Sequence, residues 1–268
     1  MIFFYRALAT LLALTLGACA TNPVTGKQDL VLMSAAQELA LGQQAHQQTL
    51  QQYRVYSDPA LQQYIDAVGQ RLAGISHRSE LRYTFTVLDS DEINAFALPG
   101  GYIYVTRGLL AYLNSEAELA AVLGHEIGHV TARHGVRQAS SAQAASLGGG
   151  LLSVFFPQLG SSGLNHTLGL LSTAMLRGYG REHELEADRL GAGYLDASGY
   201  DRSAMFDVIR TLKNQELFDR KLAAWKGEKR APITAFSRLT RTTTRVYKRS
   251  SPIVRRPIAA ANGSAIAS

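Results

Sequence analysis

The sequence predicts an α+β fold in which helices dominate and the strands form one small sheet. Two observations support this prediction. Apolar residues recur at three- and four-residue intervals in several long segments, whereas the alternation typical of strands occurs in only two short ones. The chain has 268 residues, of which 46% are hydrophobic and 18% are charged. This is a globular composition for one or two domains, and the single cysteine excludes an internal disulfide and a thiolate zinc finger.

The first eighteen residues are predicted to be a lipoprotein signal peptide. Arg6 precedes an apolar run over residues 7–16, and small residues then lead to Cys19. This run is too short to cross a bilayer of about 30 Å as a permanent helix. The Leu-Gly-Ala-Cys ending resembles a bacterial lipobox, which implies lipidation of Cys19; the alternative is an ordinary signal peptide with an incidental cysteine. Ala20, in place of an aspartate, favours the periplasmic face of the outer membrane over the inner membrane.

A polar tether and two amphipathic helices are predicted to follow in the mature chain. Residues 20–26 are rich in turn formers, so residues 19–33 are predicted to connect the lipid anchor to the fold. Ser34, followed by Ala-Ala-Gln-Glu, occupies the capping position of a helix. Asp58 precedes a second helix, in which apolar residues recur every three or four positions.

Two strands and a long apolar helix are predicted next. Residues 83–88 and 101–106 alternate in the manner of strands, and the segment 94–101 between them ends in a turn. The second strand is either an edge to which an extended substrate could add or an ordinary core strand. Ser115 caps an apolar helix that is predicted to continue through His134.

The rest of the chain divides into three segments. Residues 139–176 are rich in Ala, Gly, Ser and Leu and are predicted to be a mobile helical hairpin or loop. A further helix begins near Tyr179 and passes through Asp188. The globular domain is expected to cover residues 34–224, and residues 225–268 form a basic tail with ten Lys or Arg and one acid. Because this tail holds more positive charge than the net +6 of the chain, the main body is mildly acidic and nucleic-acid binding is not expected.

The chemistry is concentrated in His125-Glu126-Ile127-Gly128-His129, which matches the pattern H-E-x-x-H. Residues four apart share one face of a helix, so both imidazoles can bind one metal ion. Glu126 can reach a water molecule on that ion without being a ligand. The preceding residues are apolar, and burial of two histidines and a glutamate there would be costly without a function.

A catalytic zinc ion needs a third protein ligand. The metzincin spacing fails because Ala132 stands where that pattern requires Gly and His134 comes one residue early, so His134 is expected near the site rather than as a ligand. Glu184 and Asp188 lie four apart on the predicted second helix. Glu184 is expected to ligate, and Asp188 to accept the ring N–H of a ligand histidine. Two other glutamates are expected to be solvated or to pair with neighbouring helices: Glu182 and Glu186.

HEIGH followed by Val-Thr-Ala-Arg-His, and then by R-x-x-E-x-E-A-D, resembles metallopeptidase family 48, the gluzincins that include CAAX prenyl proteases and HtpX-like proteases. The start Cys-Ala-Thr-Asn-Pro-Val-Thr-Gly and the segment NAFALPGG resemble its bacterial periplasmic lipoprotein branch. The resemblance covers roughly residues 19–224. It implies a zincin-like metalloprotease domain with one Zn²⁺ per chain, whose ligands are His125, His129 and Glu184. Glu126 would then be the catalytic base that activates a zinc-bound water.

The resemblance implies a zinc metalloendopeptidase that hydrolyses misfolded or misassembled envelope proteins. Polypeptide substrates, the membrane and the outer-membrane assembly machinery are the expected partners. The alternative is a non-proteolytic chaperone or assembly factor that retains the zinc site. Arg181 or His183 is expected to hold the oxyanion or the substrate. Gly180 stands where the family usually has Ser, a departure that does not imply inactivity.

The basic tail departs from the family pattern. Members usually continue with a Thr-His-Pro turn and a final amphipathic helix, and neither is present here. A shifted reading of the codons after Trp225 can spell Phe-Ala-Thr-His-Pro, which favours a frameshift and an aberrant, disordered tail. The alternative is a genuine basic tail that binds anionic lipid.

Overall fold

The structure is a computed structural model that describes residues 19–147 and 179–226. Its strands are β1 (Cys19–Thr21), β2 (Gln28–Leu30), β3 (Thr84–Leu88), β4 (Ala95–Leu98) and β5 (Tyr102–Thr106). Its helices are α1 (Ala35–Gln52), α2 (Pro59–Ala73), α3 (Arg107–Leu110), α4 (Glu116–Thr131), α5 (His134–Leu147), α6 (Arg181–Ala197) and α7 (Ala204–Lys226). The helix-dominated α+β class is therefore confirmed. The predicted signal peptide, most of the Ala- and Gly-rich segment and the tail beyond residue 226 lie outside the described residues.

The helices predicted to begin after Ser34, Asp58 and Ser115 are confirmed, and each of these residues caps its helix. Ser34 forms a capping box at the start of α1: its hydroxyl accepts from the N–H of Gln37, whose side chain accepts from the Ser34 N–H at 2.8 Å. Asp58 accepts from the N–H of Leu61 at the start of α2, and Ser115 caps α4 in the same way. Each cap satisfies a backbone donor and contributes about 1 kcal/mol to the stability of the fold.

The larger sheet has the strand order β3–β5–β4. β5 is parallel to β3 and antiparallel to β4, so it is the central strand, and the interpretation as a core strand is the right one. β4 lies in the segment that was predicted only to end in a turn. The chain passes from β4 to β5 through Gly100 and Gly101, whose φ angles of 81° and 99° are ones that L side chains rarely adopt.

Residues 19–30, within the segment predicted to be a tether, form a hairpin. β1 and β2 pair antiparallel, and the buried Asn22 donates from its amide to the Asp29 carboxylate at 2.7 Å. Asp29 also forms an ion pair with Arg137 in α5, whose Nε atom lies 3.1 Å from the carboxylate. The turn formers in this segment therefore close a strand pair that is attached to α5.

Helix α4 ends at Thr131 and does not continue through His134. Arg133 has a φ of 57°, which interrupts the helix, and α5 begins at the next residue. The buried carboxylate of Glu38 in α1 binds the Arg133 guanidinium at 2.8 Å and that of Arg78 at 2.6 Å. These buried ion pairs hold the chain in the turn between the two helices.

The core is centred on α4, which packs against α6 through glycines. A Cβ atom built on Gly128 would lie 2.9 Å from the carbonyl oxygen of Ala187, and one on Gly191 would lie 2.9 Å from the backbone nitrogen of His125. The two helices can therefore approach closely only because these positions lack side chains. The residues of α7 that pack on this core are buried: Ala204, Met205, Val208, Ile209 and Leu212. Within residues 19–147 and 179–226, no helix is both long and apolar enough to span a membrane.

Candidate metal centre

Helices α4 and α6 bring three buried side chains to one point. The Nε2 atoms of His125 and His129 lie 2.9 Å apart. Oε2 of Glu184 lies 3.5 Å from the first of these nitrogens and 4.0 Å from the second. The three residues are 1%, 4% and 8% exposed, respectively. The structure thus places together the three residues that the sequence suggested as ligands.

The geometry of these atoms fits a metal ion. A tetrahedral ion with bonds of 2.0–2.1 Å requires donor atoms roughly 3.3 Å apart, which lies within the observed range of separations. Oε2 of Glu184 is buried and has no hydrogen-bond partner among the described residues. A buried carboxylate oxygen without a partner is unfavourable, and a cation between it and the two imidazoles would remove the cost. His125, His129 and Glu184 can therefore hold a metal ion.

Asp188 lies one helical turn after Glu184, behind His125. Its Oδ1 atom is 3.0 Å from Nδ1 of His125, so the ring N–H donates to the carboxylate and Nε2 faces the cluster. Burial lowers the pKa of His125, but the nearby carboxylates of Asp188 and Glu184 outweigh this effect and raise the pKa well above its ordinary value. The position is the one expected from the sequence.

Glu126 follows His125 on α4 and is 4% exposed. Burial raises the pKa of Glu126 to about 7, although the charge of His125 acts in the opposite direction. The charge of Glu184 adds to the increase. A carboxyl group with this pKa can both accept and donate a proton near neutral pH, as a general base and acid must.

His129 is enclosed by two aromatic side chains. The Tyr179 ring stacks on its imidazole with centroids 4.2 Å apart, and His134 approaches Nδ1 of His129 to 2.8 Å. Burial lowers the pKa of His129 well below its ordinary value, and the charges of His125 and His134 add to this effect. Burial also lowers the pKa of His134 to about 4. The neutral imidazole of His129, which is the form that binds metals, is favoured by these surroundings.

Tyr179 was not recognised as a site residue in the sequence. The sequence showed only that Tyr179 lies near the start of the helix that passes through Asp188. This position says where the helix begins and gives no indication of a role in the site. The ring borders a small, partly open pocket, whose other lining residues include His129, Leu98 and Pro99. The pocket therefore connects the candidate metal centre with the end of β4.

Arg181 and His183 lie at the start of α6. Arg181 is exposed, and the His183 ring stacks on His134 with centroids 4.4 Å apart. Neither residue belongs to the three-residue cluster found among the described side chains. Their suggested role at the oxyanion stays a prediction. Cys19 begins β1, directly beside the folded domain, and its lipidation likewise stays a prediction.

Comparison with protein families gives a match to the profile described as Peptidase family M48 over residues 59–261. This span includes the H-E-x-x-H motif and the whole of α6. It also extends into the basic segment that follows residue 224, which the resemblance noted from the sequence did not cover.

Comparison with curated proteins finds relatives in bacteria and in mitochondria. The beta-barrel assembly-enhancing protease of Yersinia pestis is 34% identical over 206 residues, which cover 74% of this chain and 42% of that protein. The putative beta-barrel assembly-enhancing protease of Vibrio cholerae is 37% identical over 213 residues, or 77% of this chain and 42% of that protein. The mitochondrial metalloendopeptidase OMA1 of Arabidopsis thaliana is 29% identical over 179 residues, or 66% of this chain and 36% of that protein. The chain thus spans less than half the length of these relatives.

Proposed function

This chain belongs to peptidase family M48, and from this premise we propose that it is a zinc-dependent metalloendopeptidase. The observation that carries the proposal is the convergence of the three buried donor atoms of His125, His129 and Glu184 beside the buried carboxyl of Glu126. Two imidazoles and one carboxylate are the protein ligands of catalytic zinc sites that keep a fourth position for water or substrate.

The reaction requires proton transfer and oriented ligands, and the chain supplies both. A bound zinc ion would act as a Lewis acid toward the peptide carbonyl and toward water. Glu126 accepts a proton from the attacking water and returns it to the leaving amine, for which a pKa of about 7 is well suited. Asp188 accepts the hydrogen bond of Nδ1 of His125 and so orients the ring with Nε2 toward the cluster.

We further propose that an extended segment of the substrate binds along β4. Among the described residues, β4 pairs with β5 on one side only, so no strand occupies its other edge, and a substrate could add there as a further strand. Leu98 and Pro99, at the end of this strand, share a pocket with His129 and Tyr179. A peptide along β4 would therefore lie beside the candidate metal centre, which replaces the earlier suggestion that β5 is the substrate-binding edge.

The substrates that we propose are misfolded or misassembled proteins of the bacterial envelope. This proposal is supported by the names of the bacterial relatives, which refer to enhancement of β-barrel assembly. Lipidation of Cys19 would hold the enzyme at the periplasmic face, in our proposal on the outer membrane, where it would meet the assembly machinery. The basic tail after residue 224 is proposed to be an aberrant addition that takes no part in catalysis.

Degradation of casein by the purified protein tests the proposed activity. We expect cleavage that is abolished by a chelator, restored by added Zn²⁺ and abolished by Glu126→Gln. Glu182→Gln on α6 is the matched control, because it changes an exposed glutamate and should leave cleavage intact. Undiminished cleavage by the Glu126 variant would contradict the proposal. Stoichiometric zinc without cleavage of casein or of envelope proteins would favour the non-proteolytic assembly factor.

A further inference from the structure

A third histidine and a glutamate stand behind His129, outside the cluster of proposed ligands. Nδ1 of His134 lies 2.8 Å from Nδ1 of His129, and Nε2 of His134 lies 3.0 Å from Oε2 of Glu186. His134 is fully buried at the start of α5, and Glu186 lies on α6 two residues after Glu184. The three side chains therefore form a continuous hydrogen-bonded row that ends at the candidate metal centre.

The carboxylate of Glu186 determines where the protons in this row lie. An ionised carboxylate only accepts hydrogen bonds, so Nε2 of His134 carries the proton that it donates. The other ring nitrogen of His134, Nδ1, faces Nδ1 of His129 and can accept a hydrogen bond from it. When Nδ1 of His129 carries the proton of this hydrogen bond, the lone pair of His129 is on Nε2. Nε2 is the atom that faces His125 and Glu184.

Glu186 is itself held in place by a cation. The guanidinium of Arg137 donates to the same oxygen at 3.0 Å, and its Nε atom lies 3.1 Å from Asp29 in the N-terminal hairpin. Arg137 of α5, which also binds Asp29 of β2, thus holds the carboxylate of Glu186 in place, which is the requirement for an anchor of the row.

We propose that His134 and Glu186 are a positioning pair that fixes the tautomer and orientation of His129 for metal binding. Asp188 orients His125 by direct contact with its Nδ1 atom. Glu186 would orient His129 in the same way, but through the imidazole of His134, which lies between them. This inference rests on the proposed function, because it requires His129 to be a ligand. Loss of such an outer partner is expected to weaken zinc binding by about 10–100-fold.

A packing role for His134 is the alternative, since its ring also stacks on His183. Two substitutions separate the alternatives. His134→Phe keeps a ring of similar size but removes the acceptor for His129. His134→Asn loses the stacked ring but places an amide oxygen close to the position of Nδ1. A positioning role predicts weak zinc binding by the Phe variant and partial recovery by the Asn variant, whereas a packing role predicts the reverse order.

Zinc affinity of the full chain is measured by competition with a chromogenic chelator. His77→Phe is the matched control, because His77 also makes a hydrogen bond through Nδ1, to Tyr194, but is not part of the row. The control should bind Zn²⁺ as the unchanged protein does. Thermal unfolding followed by circular dichroism, in excess chelator, shows whether each variant is folded. An affinity of His134→Phe within about threefold of the unchanged protein would overturn the inference.

Nitrogen-15 spectra of histidine-labelled, unsubstituted protein with Zn²⁺ test the tautomers without any substitution. We expect protons on Nδ1 of His129 and on Nε2 of His134. The opposite tautomer at either ring would overturn the inference even if no variant folds. Failure of the unsubstituted protein to bind zinc would instead contradict the proposed function, and this outcome is distinct from zinc binding that does not depend on His134.

Discussion

A buried carboxylate oxygen without a hydrogen-bond partner is energetically unfavourable, and Oε2 of Glu184 is such an atom. The two imidazole nitrogens closest to it face each other at 2.9 Å, where at most one of them can hold a proton for a hydrogen bond. A metal ion bound by these three side chains would give the carboxylate oxygen a partner and would separate the two imidazole nitrogens. At the scale of single residues, the three side chains are therefore arranged in a way that a bound ion would stabilise.

Removal of any one donor is expected to abolish stoichiometric zinc binding. His125→Ala, His129→Ala and Glu184→Ala each leave two protein ligands, which are too few for a stable site. Glu126→Gln should retain one zinc per chain, because Glu126 moves protons and does not ligate. Elemental analysis after gel filtration in buffer with a weak chelator measures the zinc content. Full retention of zinc by the Glu184 variant would show that the third ligand is a different residue.

At the scale of elements, the contact between α4 and α6 brings the two halves of the site together. The ligands of α4 and that of α6 can meet only if the helix backbones approach closely, and glycines allow this approach. A Cβ atom on Gly191 would lie 2.9 Å from the nitrogen of His125 and 3.0 Å from the carbonyl carbon of Gly124. Both contacts are with backbone atoms, which cannot move aside without moving the helix.

Gly191→Ala is therefore expected to separate the helices and to reduce both stability and zinc affinity. The expected loss is about 1–3 kcal/mol of the free energy of unfolding, as in other overpacked cores. Gly193→Ala provides a control on the same helix, because a Cβ there meets no atom within 4 Å. This variant should gain up to about 1 kcal/mol from the higher helix propensity of alanine. Chemical denaturation of both variants measures the difference; equal stability would contradict the close contact.

At the scale of the whole molecule, local patterns predicted the helices better than the connections between them. The helix starts after Ser34, Asp58 and Ser115 are encoded by neighbouring residues, and all three are confirmed. The end of α4 before His134 could not be predicted, because it depends on an ion pair between Arg133 and Glu38, which are 95 residues apart.

In the site, too, residues that belong to a local motif could be predicted, whereas contacts between distant segments could not. The motif spacing placed His125 and His129 on one face of a helix, and the second motif supplied Glu184. The contacts of Tyr179 and Glu186 arise from packing between α4, α5 and α6, and no periodicity in the sequence reports such contacts. The nature of the basic tail stays a prediction, and sequencing of the gene through the codon of Trp225 tests it.

The N-terminal hairpin affects how the whole molecule would sit on a membrane. Cys19 begins β1 and pairs in register with Leu30, and Asp29 of the same hairpin is bound to Arg137 in α5. A lipid on Cys19 would therefore be attached close to the folded domain and not at the end of a long tether. Several acyl methylenes, each contributing about 0.8 kcal/mol when buried, would give a stable anchor.

We expect Cys19→Ser to move the protein from the membrane fraction to the soluble periplasmic fraction, or to leave an unprocessed precursor. Zinc content should be unchanged, because β1 contributes no proposed ligand. Fractionation of cells with immunodetection, together with mass spectrometry of the N-terminal peptide, measures both processing and lipid content. Thr21→Ser is the matched control, since it alters a neighbouring residue of β1 without touching the cysteine. If the Cys19 variant were processed and distributed like the unchanged protein, the chain would be held at the membrane by something other than this lipid.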